Sequence, residues 1–357
     1  MPAARRRSNL FRRYFLKRIF TFSLTVYLGM DKVKTVVGID IGGTNTIFGF
    51  VDRSGNILAE DQIMTTNYDE PQVYVADLFE KIMITARNAG KEMEILGIGI
   101  GAPMGNINKG TIEYPADLPW KGIIPLADIF AHHTTLPVIV TNDANAAAVG
   151  EMIYGGARDM KNFVVITLGT GLGSGFVVNG KLVYGHDGFA GELGHTSIRP
   201  DASDRECGCG RKGCLETYVS ATGLKRTVLK IMADRLADSE LRKHSFEELT
   251  SVMIYEAARR GDPIALEAFE QTGAILGYKL ADVVAHTSPE AIFLFGGLAQ
   301  AGELIFEPTK RHMEENLLYI YRDKVKLLPS GLRAQDAAVL GSSSLVWSSL
   351  EADGVKS

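Results

Sequence analysis

Residues 36–58, VVGIDIGGTNTIFGFVDRSGNIL, form the stretch that decides the fold. One apolar run leads into Gly42-Gly43, a second run returns from that turn, and Ser54-Gly55 reverses the chain again. Apolar, β-branched runs separated by short turns rich in Gly, Thr and Asn are typical of strands joined by hairpins. The stretch therefore predicts three antiparallel strands in a meander.

The same pattern returns later in the chain. Residues 163–183, FVVITLGTGLGSGFVVNGKLV, repeat the order of strand, Gly- and Thr-rich turn, returning strand and glycine turn. Gly42 aligns with Gly169, and Phe50 aligns with Phe176. Two similar units at one long spacing indicate an internal duplication, and two copies predict a pair of related lobes rather than a solenoid.

The rest of the sequence alternates between strands and helices. Apolar residues at helical spacing predict a helix over 71–89, followed by buried strands over 96–103 and 136–143. The last third is predicted to be mainly helical around a strand at 291–297 and a short strand at 325–329. Its helices are expected over 221–236, 245–260, 262–287, 299–317 and about 335–348. This alternation predicts an α/β fold in which the last helix packs back on the first lobe.

The charge distribution sets the N-terminus apart from the body of the chain. The formal charge is −4, but residues 1–30 contain six Arg, one Lys and no acidic residue, so they carry +7 and the remainder carries −11. An acidic body lacks the clustered Lys and Arg that nucleic acid requires, so we expect no nucleic-acid partner. The apolar run after the basic segment has only about twelve residues, too few to span a bilayer, and we expect no membrane partner.

Residues 1–32 are predicted to be a basic extension outside the fold. Three interpretations stay open: an upstream segment with Met30 as the natural start, a disordered native tail, or an export or membrane-surface segment. The remaining chain is expected to divide into an N-terminal lobe, residues 33–142 with about 335–350, and a C-terminal lobe, residues 143–334.

Three glycine-rich turns are candidate phosphate-binding loops. Glycines let backbone N–H groups approach an anion closely, while Thr and Asn add hydroxyl and amide donors. The donor residues are Gly42, Gly43, Thr44 and Asn45 in the first loop, Thr170 and Gly171 in the second, and Gly296 and Gly297 in the third. Asp40 ends the first strand, where a carboxylate is suited to hold Mg²⁺ or its waters against the phosphates. Neither the P-loop pattern nor the dinucleotide-binding pattern of glycines is present.

The chain has three cysteines, and they lie within eight residues. Cys207, Cys209 and Cys214 are preceded by His195, twelve residues before the first of them. Three Cys and one His form a closed tetrahedral zinc set. One disulfide with a free thiol is the alternative, which the odd number of cysteines and the acidic composition make less favourable. We predict a structural Zn²⁺ that would hold His195 and its loop in place.

Carboxylates are expected to gather near this metal loop. Asn142-Asp143 ends an apolar strand and opens a helix, where the Asp could also serve as an N-cap. Glu192 and Glu216 each lie within three residues of a predicted metal ligand, so the loop ties them into one neighbourhood. Several carboxylates with an Asn and a His supply the acceptors and donors that a polyhydroxylated ligand needs. One carboxylate would serve as base for an attacking hydroxyl.

Several segments together resemble the ROK (repressor, ORF, kinase) family of sugar kinases. They are DIGGTNTIFGFVD, GIGAPMG, TNDANAAAVGE, LGTGLGSG, and GFAGELGHTSI with CGCGRKGCLETYVS. The resemblance extends over roughly residues 33–348. It implies an actin-like, two-lobed ATPase fold with an RNase H-like core in each lobe, and a homodimer. It also implies that ATP and Mg²⁺ lie in the cleft, with a hexose beneath the γ-phosphate.

The resemblance further implies roles for individual residues. It makes Asp143 the catalytic base and His195 a ligand of both zinc and sugar. The sugar ligands that it implies are Asn142, Asp143, Glu192, His195 and Glu216. The nucleotide and Mg²⁺ residues that it implies are Asp40, Gly42, Gly43, Thr44, Asn45, Thr170, Gly171, Gly296 and Gly297.

Glucose is the expected substrate, phosphorylated at its 6-hydroxyl, but other substrates stay open. Where the family often has Asn before Leu, this chain has Asp117, in a segment implied to border the sugar. N-acetylmannosamine, N-acetylglucosamine, allose and fructose are therefore alternatives. A sugar-responsive repressor of the same family would need an added helix-turn-helix domain, for which the first residues show no three-helix pattern; an actin-type structural ATPase is a third alternative. ATP and a reduced zinc site predict a cytoplasmic enzyme.

Overall fold

The computed structural model describes residues 32–198, 205–333 and 336–352. Apart from Lys32, the predicted basic extension lies outside them, and so does Gln335, where the last helix was expected to begin.

Three β-sheets and the helices around them make up the described fold. The strands are β1 (Val33–Ile41), β2 (Asn45–Asp52), β3 (Ile57–Met64), β4 (Met93–Gly101), β5 (Gly105–Asn106), β6 (Thr111–Glu113), β7 (Ile123–Ile124), β8 (Val138–Thr141), β9 (Phe163–Leu168), β10 (Leu172–Val178), β11 (Lys181–Leu182), β12 (Ala291–Phe295) and β13 (Lys326–Pro329). The α-helices are α1 (Pro71–Asn88), α2 (Leu126–Ala131), α3 (Asp143–Ile153), α4 (Ala221–Asp234), α5 (Ser251–Arg259), α6 (Pro263–Thr287), α7 (Glu303–Asn316) and α8 (Ala337–Ala352).

The two five-stranded sheets have the same topology. The first has the order β3-β2-β1-β4-β8 and the second the order β11-β10-β9-β12-β13. In each sheet the first three strands pair antiparallel and the last two continue the sheet in parallel. The predicted meander and the predicted duplication are therefore both confirmed, and the first two glycine loops occupy equivalent positions, between β1 and β2 and between β9 and β10.

The third sheet was not predicted. Its strands β5, β6 and β7 have two or three residues each, and β6 pairs antiparallel with both β5 and β7. In the sequence they lie between β4 and β8. Strands this short carry too few residues to show the two-residue alternation by which a strand is recognised in sequence.

Helix α8 packs on the first sheet, as predicted. A Cβ at Gly99 of β4 would lie 2.0 Å from the carbonyl oxygen of Ser342. The helix backbone therefore approaches this strand so closely that only glycine fits at position 99. The hydroxyl of Ser342 accepts a hydrogen bond from the N–H of Gly101 at 3.2 Å. The chain thus returns from the second sheet to cover the first.

Helix α3 lies between the two large sheets. Cβ atoms at Gly101 of β4 and Gly175 of β10 would lie 3.3 and 2.7 Å from Ala146 and Ala148 of the helix. Small side chains on every side allow this close packing, because alanine and glycine leave room for neighbouring backbones. The N-terminus of α3, which begins with Asp143, is thereby held near both sheets.

The predicted helices of the last third are confirmed, with some changed ends. Helix α5 begins at Ser251 rather than near 245, because the Thr250 hydroxyl accepts a hydrogen bond from the N–H of Met253 and caps the helix there. Helix α7 begins at Glu303 after a separate 3₁₀ turn, Leu298–Ala301. Within the described residues, no helix combines the length and apolar character needed to cross a membrane.

Candidate active site

Asp143 is the first residue of α3 and is separated from the end of β8 only by Asn142. Asn142 rather than Asp143 is the N-cap, since its Oδ1 accepts a hydrogen bond from the N–H of Ala144 at 2.8 Å. Asp143 Oδ1 accepts from the same N–H at 2.7 Å. Burial among protein atoms raises the pKa of Asp143 above its usual value, an effect that the backbone hydrogen bonds partly oppose. The residue is nevertheless open to solvent, so a ligand can reach it.

The second glycine loop lies beside this carboxyl group. A Cβ at Gly173, just after the second loop, would lie 3.9 Å from Asp143 Oδ1. In the first loop Thr44 and Asn45 are exposed, and in the second Thr170 is exposed, so their polar groups are free to meet a ligand. The structure therefore brings the second loop beside Asp143, with accessible donors on both loops.

Asp117 lies against the first loop. A Cβ at Gly43 would lie 2.6 Å from the carbonyl oxygen of Asp117, which only a glycine can accommodate. Asp117 is exposed, whereas Trp120 of the same segment is buried and donates its indole N–H to the carbonyl of Tyr68 at 3.0 Å. The segment in which this chain departs from the family pattern is thus fixed beside a predicted phosphate loop.

Asp40 lies near the end of β1, opposite Ile47 of β2 and Gly101 of β4. Burial raises the pKa of Asp40 from 3.8 to about 7, and the negative charge of Asp143 adds to the shift. Two carboxyl groups therefore influence each other across the site. A divalent cation would relieve their repulsion, which fits the predicted role of Asp40 in holding Mg²⁺ or its waters.

Replacing Asp40 with Asn is expected to stabilise the ligand-free protein, and more at pH 8 than at pH 5. The folded protein binds the Asp40 proton more tightly than the unfolded chain, so the free energy of unfolding falls as the pH rises from about 4 to about 7. The Asp40→Asn variant does not lose stability in this way. Its free energy of unfolding, relative to wild type, should therefore rise by about 1–3 kcal/mol from pH 5 to pH 8. Urea unfolding at both pH values, without nucleotide or Mg²⁺, measures the difference; an advantage independent of pH would contradict it.

The predicted metal ligands come together. One ligand atom from each of His195, Cys207, Cys209 and Cys214 lies within 4.8 Å of the others. The Sγ atoms of Cys209 and Cys214 are 3.7 Å apart, and Cys207 Sγ is 3.6 Å from His195 Nδ1. A tetrahedral site with Zn–S bonds of about 2.3 Å places its donors about 3.8 Å apart. All three thiols are free, so the disulfide alternative is not found and the donor set fits Zn²⁺.

His195 connects this cluster to two carboxylates. Its Nδ1 faces the cluster and lies 3.7 Å from Glu216 Oε1, whereas its Nε2 lies 3.9 Å from Glu192 Oε2. Burial raises the pKa of Glu192; His195 lowers it, and the charges of Asp143 and Glu216 raise it further. Glu192 therefore lies within electrostatic reach of His195, Glu216 and Asp143. Asn142, the remaining predicted sugar ligand, directly precedes Asp143 in the chain.

Glu216 joins the metal loop to the second glycine loop. Its Oε2 accepts a hydrogen bond from the N–H of Leu172 at 3.4 Å, and its Oε1 lies 2.9 Å from Cys207 Sγ. A Cβ at Gly171 would lie 2.7 Å from Glu216 Oε2. The candidate sugar ligands and the candidate phosphate ligands thus share one framework.

The third glycine turn lies beside the second. Gly296 packs against the backbone of Leu168, where β9 ends, and Gly297 is exposed. The N–H of Ala221, the first residue of α4, donates to the carbonyl of Gly169 at 2.9 Å. The N-terminus of α4 therefore lies next to the second loop, where its partial positive charge favours an anion.

Sequence reasoning missed two buried polar residues of the third sheet, Asn106 and Glu113. Asn106 Nδ2 donates to Glu113 Oε1 at 3.3 Å and to the carbonyl of Asp187 at 2.8 Å. The sequence gives little indication of a role for Asn106, because an Asn in a segment rich in Gly and Asn is typical of a turn.

The chain is similar to known proteins in sequence and in fold. A sequence model of the ROK family matches residues 36–349. The chain is 35% identical over 318 residues to a glucokinase of Halalkalibacterium halodurans, covering 87% of this chain and 94% of that protein. It is 30% identical over 329 residues to a xylose repressor of Caldicellulosiruptor bescii, covering 91% of this chain and 81% of the repressor. A solved ROK-family glucokinase from Streptomyces griseus, in complex with glucose and AMPPNP, is 32% identical with a TM-score of 0.73, covering 87% and 98% of the two chains.

Proposed function

This chain belongs to the ROK family, and we propose that it is an ATP-dependent kinase that phosphorylates glucose at the 6-hydroxyl. The actin-like, two-lobed ATPase fold implied by its sequence is confirmed by its likeness to solved ROK kinases. The observation that carries the proposal is the place of Asp143, an accessible carboxyl group of raised pKa beside the second glycine loop and within electrostatic reach of Asp40.

Asp143 is the base in this proposal. The 6-hydroxyl oxygen attacks the γ-phosphorus as the bond to the departing ADP oxygen breaks, and the hydroxyl proton passes to the Asp143 carboxylate. A raised pKa suits this role, because a base accepts a proton best when its pKa approaches the working pH. Most of the catalysis in phosphoryl transfer comes from positioning and from stabilising charge, and α3 holds Asp143 between the sheets for that purpose.

The glycine loops hold the nucleotide. Gly43, Thr44 and Asn45 on one side, and Thr170 and Gly171 on the other, supply N–H, hydroxyl and amide donors to the phosphates. Gly42 closes the first turn, since its N–H donates to the carbonyl of Asn45 at 3.0 Å, and Gly296 with Gly297 flanks the adenosine. Asp40 would hold Mg²⁺ or its waters, and the cation supplies positive charge to the phosphates. Because the body of the protein is acidic, backbone donors and this cation take the place of a basic patch.

Asn142, Glu192, His195 and Glu216 bind the sugar hydroxyls. Nδ1 of His195 faces the cysteine cluster and its other ring nitrogen faces Glu192, so one side chain can serve metal and sugar together. A Zn²⁺ on His195, Cys207, Cys209 and Cys214 would supply rigidity rather than chemistry. Orienting contacts of this kind hold ligand side chains in place and restrict their motion.

Two alternatives remain within the family. Asp117 beside the first loop accepts but does not donate hydrogen bonds when ionised, which could favour a hexose other than glucose. The xylose repressor is similar over most of this chain, but the accessible Asp143 and the loop donors around it favour an enzyme.

A panel of sugars with ATP and Mg²⁺ tests the proposal. Glucose should give the highest kcat/KM, above N-acetylmannosamine, N-acetylglucosamine, allose and fructose, and the product should be glucose 6-phosphate. A higher kcat/KM for another sugar would change the substrate but keep the chemistry. No phosphorylation of any of these sugars would contradict a hexose kinase, and sugar binding without turnover would favour the repressor.

We extend the proposal to the organisation of the protein. The N-terminal lobe comprises residues 33–142 with about 335–350, and the C-terminal lobe residues 143–334. The family resemblance supports a homodimer, which light scattering would test, and ATP together with free thiols supports a cytoplasmic location.

A further inference from the structure

Asn106 is a completely buried amide outside the site described above. Its Oδ1 accepts hydrogen bonds from the N–H groups of Asn108 at 3.0 Å and Lys109 at 3.3 Å. Its Nδ2 donates to Glu113 Oε1 at 3.3 Å and to the carbonyl oxygen of Asp187 at 2.8 Å. All four hydrogen-bonding positions of the amide are used, so its orientation is determined by its neighbours.

The bond to Asp187 differs from the other three. Asn108, Lys109 and Glu113 belong to the same short sheet and turn as Asn106, whereas Asp187 lies on the loop that follows β11 of the second sheet. The bond therefore connects the third sheet to a loop of the second sheet. Asn108 adds a weaker contact from an exposed position, its Nδ2 to the carbonyl of His186 at 3.4 Å.

The loop that Asn106 holds leads directly to the sugar ligands. Residues 185–191 contain three glycines at positive φ, and Gly188, with φ +91°, packs on the amide so closely that a Cβ there would lie 2.7 Å from Asn106 Oδ1. The loop ends at Gly191, whose carbonyl accepts a hydrogen bond from Ser174 of β10. Glu192 follows immediately, so the loop is attached at its centre to the third sheet and at its end to the second.

We propose that Asn106 is a positioning residue for the sugar, acting through its hydrogen bond to Asp187, which we call the latch. The latch holds residues 185–191 so that Glu192 and His195 face the substrate. Without it, the three flexible glycines would let the loop leave this conformation, and sugar would have to restore it on binding. This inference rests on the proposed sugar kinase function and adds a residue that touches neither sugar nor nucleotide.

A charge-conserving exchange separates the latch from the fold. In the double variant Asn106→Asp/Glu113→Gln, Asp at 106 still accepts from Asn108 and Lys109, and Gln at 113 donates back to it. The hydrogen bond between positions 106 and 113 is therefore kept, although the bonds that Lys109 Nζ and Thr111 Oγ1 donate to Glu113 Oε1 are lost. A carboxylate oxygen now faces the Asp187 carbonyl, and two acceptors repel. Glu113→Gln alone is the matched control, because it leaves Asn106 and the latch in place.

The double variant is expected to raise the KM for glucose about five- to tenfold, as loss of one buried hydrogen bond allows, with kcat and the KM for ATP within about twofold of wild type. Amide hydrogen exchange over residues 185–191, without substrate, should become faster in the double variant and stay unchanged in the control. Gly188→Ala approaches the latch from the loop side and should produce the same split between KM and kcat.

The outcomes are distinct for the latch and for the proposed function. The latch would be overturned if the double variant and Gly188→Ala both kept the wild-type KM for glucose and the wild-type exchange rate over residues 185–191. A fall in kcat alone would overturn it as well. If wild type did not phosphorylate glucose, the function would fail, but the exchange measurement would still decide whether Asn106 holds the loop. Should the double variant lose its thermal transition, Gly188→Ala decides by the same two measurements.

Discussion

Asp143→Asn should reduce kcat for glucose phosphorylation by about 10²- to 10⁴-fold while leaving the binding of glucose and ATP close to wild type. The range is that of a positioned general base in other enzymes. Asn has the same shape and its Oδ1 can still accept from the N–H of Ala144, so α3 should keep its first turn. What the variant loses is the ability to take the hydroxyl proton. Steady-state kinetics and calorimetric binding of both ligands measure the two effects separately.

Asp128→Asn is the matched control for this experiment. Asp128 is an exposed aspartate in the first turn of α2, so the same change is made at another helix N-terminus. Turnover by Asp143→Asn within tenfold of wild type would remove Asp143 from the role of base. Loss of glucose binding equal to the loss of kcat would make Asp143 a ligand only.

The second large effect is expected from Cys209→Ser. Cys209 is the exposed member of the cysteine cluster, so its replacement removes one donor with little disturbance of packing. Wild type should contain about one zinc per chain, and the variant should lose it, because three remaining donors do not close a tetrahedral site. The KM for glucose should rise about 10- to 100-fold, since His195 and Glu216 lose the group that orients them.

Metal analysis by mass spectrometry and glucose titration measure these two changes. Glu206→Gln is the control, because Glu206 lies on the same loop and pairs with Lys212 without belonging to the cluster. A variant that kept its zinc would contradict the ligand assignment. A zinc-free protein with unchanged glucose KM would contradict the coupling between metal and sugar.

The features that could be predicted from the sequence are those encoded over short distances. The Gly-Gly and Ser-Gly turns predicted the meander, and its repetition predicted the second sheet. The spacing of Cys207, Cys209 and Cys214 predicted that their sulfur atoms would meet, because the glycines between them permit tight turns. His195 was assigned because it completes a set of three Cys and one His, and its ring nitrogen does reach the cluster.

The features that were missed depend on contacts between distant segments. Asn106 bonds to a residue 81 positions away, and its strand has only two residues, so no local pattern marks it. The start of α5 was placed too early because Phe246 and Leu249 continue the apolar spacing of the helix backwards. The cap at Thr250 ends that pattern through a side-chain hydrogen bond, which outweighs the spacing.

The return of α8 to the first sheet has a consequence for the order in which the protein can be made. The ribosome delivers β1, β2 and β4 long before it delivers the helix that covers their glycines, Gly38 and Gly99. All strands of the second sheet are complete by residue 329, while the first sheet still lacks its partner. Although domains often mature from the N-terminus during synthesis, here the first sheet cannot become fully packed until the last helix has been made.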